Sequence, residues 1–142
     1  MANKIEVTID VIVHATEDIS KIFQSFEEIL EIEEEQFSVS ETTGHFENPI
    51  TLLNITITKK QAQNFVKKLV EKLSKVEIDE LVDEIEERVI DSRFHMRLDK
   101  QELVNGKIKI SEKDTIKLKI HTPIYNKKDT VKVFSDILQI AN

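Results

Sequence analysis

The residues best placed to do chemistry are basic, and many of them recur at every second position. Arg93, His95 and Arg97 alternate with Phe94, Met96 and Leu98. Lys107 and Lys109 alternate with Ile108 and Ile110, and Lys117, Lys119 and His121 with Ile116, Leu118 and Ile120. Successive side chains of an extended strand point to opposite faces, so each run makes one apolar face and one cationic face. Paired as a three-run meander, these segments gather six or more basic groups on one surface with no acid among them. Clustered ammonium and guanidinium groups bind phosphate and displace its counterions. Arg93, Arg97, Lys107, Lys109, Lys117 and Lys119 are the expected phosphate contacts.

Two expected helices also begin on lysine pairs, Lys59-Lys60 and Lys127-Lys128. A helix N-terminus already carries partial positive charge, and a cation there costs about 0.3–1 kcal/mol unless an anion visits. Free backbone N–H groups beside two lysines form a phosphate clamp. The alternative is that these long side chains swing into solvent at little cost.

Other chemistries find less support. His14, His45, His95 and His121 are not paired at i, i+4, and no His-Glu-x-x-His occurs, so no metal site is expected. A metal-dependent hydrolase would need several of these histidines to meet in space. There is no Gly-rich phosphate loop and no Gly-x-Ser-x-Gly elbow. Asp99 and Glu102, the acids near the basic strands, read as salt-bridge partners of Lys100 or Arg97 rather than a catalytic pair. No catalytic residue and no cofactor is expected, and the chain reads as a non-enzyme.

The formal charge of −7 argues against an anionic partner, but its distribution reverses the argument. Residues 1–91 carry 9 Lys/Arg against 21 Asp/Glu, while residues 92–142 carry 11 against 6. Local field rather than total charge governs phosphate binding. Acidic helices that only neutralise a basic sheet would give the same asymmetry. Residues 1–142 form one expected domain, long enough to bury a sizeable core. The absence of cysteine excludes disulfides, thiolate nucleophiles and cysteine zinc sites. No apolar run approaches the roughly 20 residues that cross a bilayer. No signal-peptide pattern opens the chain. A cytoplasmic protein without membrane contact is the expectation.

The elements that must position the basic groups follow from periodicity. Ile5, Val7, Ile9, Val11 and Val13 alternate with polar residues and predict a half-buried strand. Thr16 is the expected N-cap of a helix with the stripe Ile19, Ile22, Phe23, Phe26, Ile29 and Leu30. A short strand is expected at 36–40 and a loop at 42–49. A clear strand spans 50–58, with Leu53, Ile55 and Ile57 inward. Thr58 and Gln61 have capping-box spacing ahead of Phe65, Val66, Leu69 and Leu73. Ile78, Leu81, Val82, Ile85 and Val89 predict a third helix with an acidic outer face. Asn126 is the expected cap of a last helix. The class this predicts is α+β: an antiparallel sheet with helices packed on one face and the other face free.

Most of the phenylalanines lie on apolar stripes. Only Phe46, in the loop, and Tyr125, before the last helix, are placed to stack on bases. That pattern favours phosphate and shape recognition of structured RNA over reading a single strand.

Three segments then carry a resemblance. Val13-His-Ala-Thr-Glu-Asp18, Gly44-His-Phe-Glu-Asn-Pro-Ile50 and Arg97-Leu-Asp-Lys-Gln-Glu102, in that order, resemble the archaeal RNA-binding protein family often labelled exosome-associated. The resemblance implies a ribosomal protein L5-like fold, RNA binding without catalysis, and exosome components as further partners. It implies roles for His14, Thr16, Glu17, Gly44, His45, Asn48, Asp99, Lys100 and Gln101. Of these, His45, Asn48, Lys100 and Gln101 are the expected shorter-range RNA contacts, beside the phosphate contacts and Lys127 and Lys128. The rival expectation is a protein-interaction module, whose basic face docks on an acidic partner or on the acidic helices of a second copy as a homodimer.

Overall fold

The computed structural model describes residues 4–113 and 116–139. Strand β1 (Glu6–His14) buries Val7, Ile9, Val11 and Val13 and turns Glu6, Thr8, Asp10, Ile12 and His14 the other way. The remaining strands are β2 (Ser38–Thr43), β3 (Pro49–Thr58), β4 (Val89–Ile90), β5 (Arg93–Leu98) and β6 (Ile116–His121). They form one six-stranded sheet in the order β2-β3-β1-β6-β5-β4, with all neighbours antiparallel. β1 is therefore central, with β3 on one edge and β6 on the other.

The α-helices are α1 (Ile19–Leu30), α2 (Lys59–Lys72), α3 (Lys75–Asp83), α4 (Ile85–Arg88), α5 (Lys100–Val104) and α6 (Thr130–Leu138), with short 3₁₀ turns at Glu34–Gln36, His45–Glu47 and Lys127–Asp129. Phe26, Phe65, Leu69, Leu81 and Phe134 from the helices join Ile9, Leu53, Phe94 and Leu118 from the strands in one buried cluster. Each such side chain stabilises the fold by about 1.5–3 kcal/mol when fully buried. Phe94 and Phe134 stack at 5.8 Å, and Phe26 meets Phe37 edge-on at 5.1 Å. The α+β class read from the sequence is the one observed. The opposite face of the sheet carries half-buried and exposed side chains.

Several local expectations change. Asp18, not Thr16, caps α1, accepting from Ser20 N at 3.0 Å and Lys21 N at 3.4 Å. Thr58 makes no side-chain cap on α2, because Lys59 enters the helix with φ 54° and the box geometry is lost. Ser74 and Glu77 do form such a box, at the start of α3. The expected third helix breaks at Glu84 into α3 and α4, and Val89 already lies in β4. The expected loop at 42–49 shrinks to a tight turn, since β2 continues to Thr43 and β3 begins at Pro49.

The three-run meander is also corrected. β5 and β6 pair directly, whereas Lys107–Ile110 forms no strand and touches β5 through a single bridge, Leu98 to Ile110. β6 occupies one edge of β5, so the intervening segment can only flank the other. The N–H of Ile110 goes to the Glu77 carboxylate at 3.0 Å, not to a neighbouring strand.

Candidate nucleic-acid interface

The pairing of β5 with β6 sets three basic rows opposite one another on the face away from the helices. Arg93 lies across from His121, His95 from Lys119, and Arg97 from Lys117. Cross-strand neighbours of this kind sit about 5 Å apart at Cβ. Arg93 and Lys117 are exposed; the other four are partly exposed. Among the described residues no acid lies within salt-bridge distance of Arg93, Arg97, Lys117 or Lys119. Like charges held this close with no acid in salt-bridge contact repel one another, and an incoming phosphate relieves that repulsion. His95 reports the local field: burial, then the charges of Lys119 and Arg93, hold its pKa below the usual imidazole value.

Acids border this patch. β1 sets Asp10 beside Lys117 and Glu6 beside His121. Asp10 is partly satisfied by the Asn54 side-chain amide. On the far side, a groove of about 430 Å³ runs from Lys117 and Lys119 to Glu87 and Glu112. Arg88, which sequence reasoning did not single out, closes that rim. Its guanidinium donates to Glu84 at 2.9 Å, Glu112 at 3.0 Å and the His95 carbonyl at 3.3 Å. The signal was the Glu84–Arg88 spacing of four on a helix.

The remaining expected contacts are distributed elsewhere. Lys107 and Lys109 are exposed but flank the sheet edge, where the Lys109 charge lies close to Glu77. Lys59 and Lys60 line an opening at the His121 end of the sheet, and Lys127 and Lys128 line another beside Asp91 and Ser92. Lys127 and Lys128 belong to a 3₁₀ turn ahead of α6, with Asn126 accepting from Lys128 N at 3.1 Å. Asp99 caps α5 through Glu102 N at 2.8 Å instead of forming the expected salt bridge. Gln101 is exposed on α5. His45 lies in the 3₁₀ turn His45–Glu47, and its side chain is outside the described residues. Among the described residues no group of three or more His, Asp or Glu is placed to hold a metal ion, and no helix is long and apolar enough to cross a membrane.

Lys100 departs furthest from expectation. It is only 5% exposed, and its ammonium donates to the Ile12 carbonyl and to Glu17 Oε1 at 2.8 Å. The same Glu17 oxygen accepts from His14 N at 2.8 Å. A lysine that is itself buried and committed to two part-buried acceptors is withdrawn from any phosphate, so Lys100 is a structural pin and not a surface contact. Through it the 97–102 segment meets the 13–18 segment. The 44–50 segment reaches the same end of the sheet: Asn48, Pro49 and Ile50 share a pocket of about 310 Å³ with His14, Ala15 and Thr16. The turn is closed by Gly44 N donating to Asn48 O at 2.8 Å. Within it Phe46 and Glu47 adopt left-handed backbone, and the Phe46 side chain is 93% exposed. Tyr125 is equally exposed at the opposite end of the sheet.

A family model described as RNA binding matches residues 6–122. The chain belongs to this RNA-binding family. It is 34% identical over 143 residues to protein MJ0213 of Methanocaldococcus jannaschii, covering 93% of this chain and 94% of that one. It is 31% identical over 151 residues to RNA-binding protein PAB1135 of Pyrococcus abyssi, covering 98% of each. The solved structure of protein AF2318 from Archaeglobus fulgidus superposes with a TM-score of 0.80 at 25% identity, covering 94% of this chain and 99% of that one.

For a member of this RNA-binding family, the matched span has a plain physical reading. It contains the whole sheet from β1 to β6, the basic rows and the three segments that converge at the end of β1. It leaves out α6, whose Phe134 completes the core against Phe94.

Proposed function

We propose that the protein is a non-catalytic RNA-binding protein that grips structured RNA through its phosphates. The carrying observation is the set of cross-strand rows Arg93–His121, His95–Lys119 and Arg97–Lys117 on a sheet face that no described helix covers. Lys107, Lys109, Lys127 and Lys128 extend the positive field along the edges. Gln101, His45 and Asn48 supply shorter contacts. With no Phe, Tyr or Trp among the six paired side chains, that patch holds the backbone and shape of a folded RNA instead of stacking successive bases. The non-catalytic reading is supported by Asp99, whose carboxylate is spent on capping α5.

The resemblance alone extends the proposal to an L5-like fold and to exosome components as partners. Pairing of two copies is the competing use of the basic face.

The test is binding of a stem-loop RNA titrated against salt, using the full chain and Lys117→Glu, Lys119→Glu double reversal. Each phosphate contact contributes about 0.7–0.9 to the log–log salt slope, so the double variant should bind more weakly and lose about 1.5 from that slope. Unchanged affinity and slope would remove the assignment. Sedimentation in the absence of RNA separates the competing reading: a stable dimer abolished by the same charge reversals would favour protein docking.

A further inference from the structure

The pocket between the end of β1 and the start of β3 lies outside the basic rows and has a different chemistry. Its volume is about 310 Å³, at the small end for ligand sites. Ala15, Pro49 and Ile50 supply apolar lining, while His14, Thr16 and Asn48 supply polar groups. Apolar walls with a few polar groups are suited to a flat heteroaromatic ring whose edge needs hydrogen bonds. Unstacked RNA bases are recognised by hydrogen bonds to their edges and contact with their faces.

The surroundings fix the pocket and connect it to the basic rows. On one side Glu17, pinned by Lys100, holds the backbone at His14. On the other, the Gly44–Asn48 hydrogen bond closes the turn, and the Ile50 side chain lies where a Gly44 Cβ would be. His14 and Ile50 are cross-strand partners, and the next outer pair along the sheet is Ile12 with Leu52. The pair after that is Asp10 with Asn54, and Asp10 adjoins Lys117. At about 3.3 Å per residue and 4.8 Å between strands, His14 lies roughly 14 Å from Lys117 in the plane of the sheet. A short run of nucleotides can cover that distance across the apolar strip.

We propose that this pocket takes one unpaired nucleobase of an RNA whose paired region lies on the basic rows. The proposal rests on the RNA-binding reading and adds a requirement to it: the favoured ligand carries unpaired nucleotides next to a helix. Phe46, in the adjoining turn, offers a face on which a second base can stack.

The experiment compares three RNAs by fluorescence anisotropy with the full chain: a stem-loop, the same stem-loop with a three-nucleotide 3′ overhang, and the same overhang built from abasic nucleotides. Abasic units keep the phosphates and remove the bases. The complete overhang should bind about tenfold more tightly than the abasic one, the effect of one well-held base. Thr16→Val with Asn48→Ala should reduce that preference to about twofold. The same double variant should keep the salt slope on the bare stem-loop, and Thr16→Val alone, which removes none of the contacts assigned to the stem, should leave stem-loop affinity unchanged; both residues are exposed, so circular dichroism should remain that of the parent. Equal affinity for complete and abasic overhangs, with the stem-loop still bound in a salt-dependent way, would overturn the pocket and leave the RNA reading standing. A full preference surviving in the double variant would also overturn it. Failure of all three RNAs to bind would overturn the reading underneath.

Discussion

Replacing Lys100 with methionine keeps most of the side-chain volume and removes one charge. The Ile12 carbonyl then loses its ammonium donor, and Glu17 keeps only His14 N from this cluster. Breaking a fully buried ion pair costs about 3–5 kcal/mol. The Glu17 side chain is 26% exposed, so water can solvate part of its charge and the lower end applies. An expected loss is about 3 kcal/mol, or a fall in Tm of about 10 °C for a domain of this size. Urea denaturation gives the free energy, and a cycle with Glu17→Gln isolates the pair. The two single losses should exceed the double loss by about 1–2 kcal/mol, since either change alone breaks the same bond. A destabilisation under about 1 kcal/mol, or strict additivity in the cycle, would refute the pin. The cycle also reports on function: Lys100→Met should blunt discrimination between complete and abasic overhangs while leaving the salt slope on a bare stem-loop unchanged.

Three further outcomes follow from other sites. Burial tends to raise the Glu77 pKa, but hydrogen bonds from Ile110 and Ser74 and the Lys109 charge outweigh it, so the group titrates below its ordinary value of 4.5. A depressed folded pKa gives stability that is present above the unfolded value and lost as pH falls through the folded one. Urea midpoints should therefore drop on acidification below about pH 4.5, and less steeply in Glu77→Gln. His95 works in the opposite sense. Its lowered pKa means the unfolded chain takes the proton first, so stability declines as pH falls from above 6.5 toward the folded value. A bound phosphate favours the imidazolium, so RNA affinity should rise over the same window and flatten in His95→Asn. Arg93 and Arg97 on β5, Lys117, Lys119 and His121 on β6, Asp10 on β1 and Glu87 and Arg88 on α4 all bear on that titration. Gly44→Ala places a Cβ against the far end of the Ile50 side chain, which must turn aside, and should cost about 1 kcal/mol by thermal denaturation, the low end for overpacking.

The strands were legible because alternation is a local property: Val7 to Val13, Leu53 to Ile57, Phe94 to Leu98 and Ile116 to Ile120 each declare their inner face. The basic rows followed from the same pattern. What local pattern does not encode is which edge of a strand is free. Lys107–Ile110 alternates as well as its neighbours do, yet β6 takes the β5 edge beside β1 and leaves it a bridge. Lys100 was misplaced for a related reason. Lysine is normally exposed, and the partner that buries it, Glu17, lies 83 residues away. Thr16 and Asp18 are both good capping types. Asp18 caps because the preceding turn is held by Glu17, which no propensity records. The pocket at the end of β1 was visible only as separate polar residues, since its walls come from two strand ends that meet across the sheet.

The strand order has a consequence for biogenesis. β1 is made first, but one of its long edges stays bare until Ile116–His121 is synthesised, well after β3 has covered the other. At about 5–20 residues per second, the ribosome leaves that edge open for several seconds. Over that interval a nascent chain presents an unpaired Val- and Ile-rich ribbon, the kind of template that recruits other chains. A cell making this protein quickly therefore has reason to shield the half-built sheet, and a fragment ending before residue 116 should precipitate where the complete chain stays dispersed.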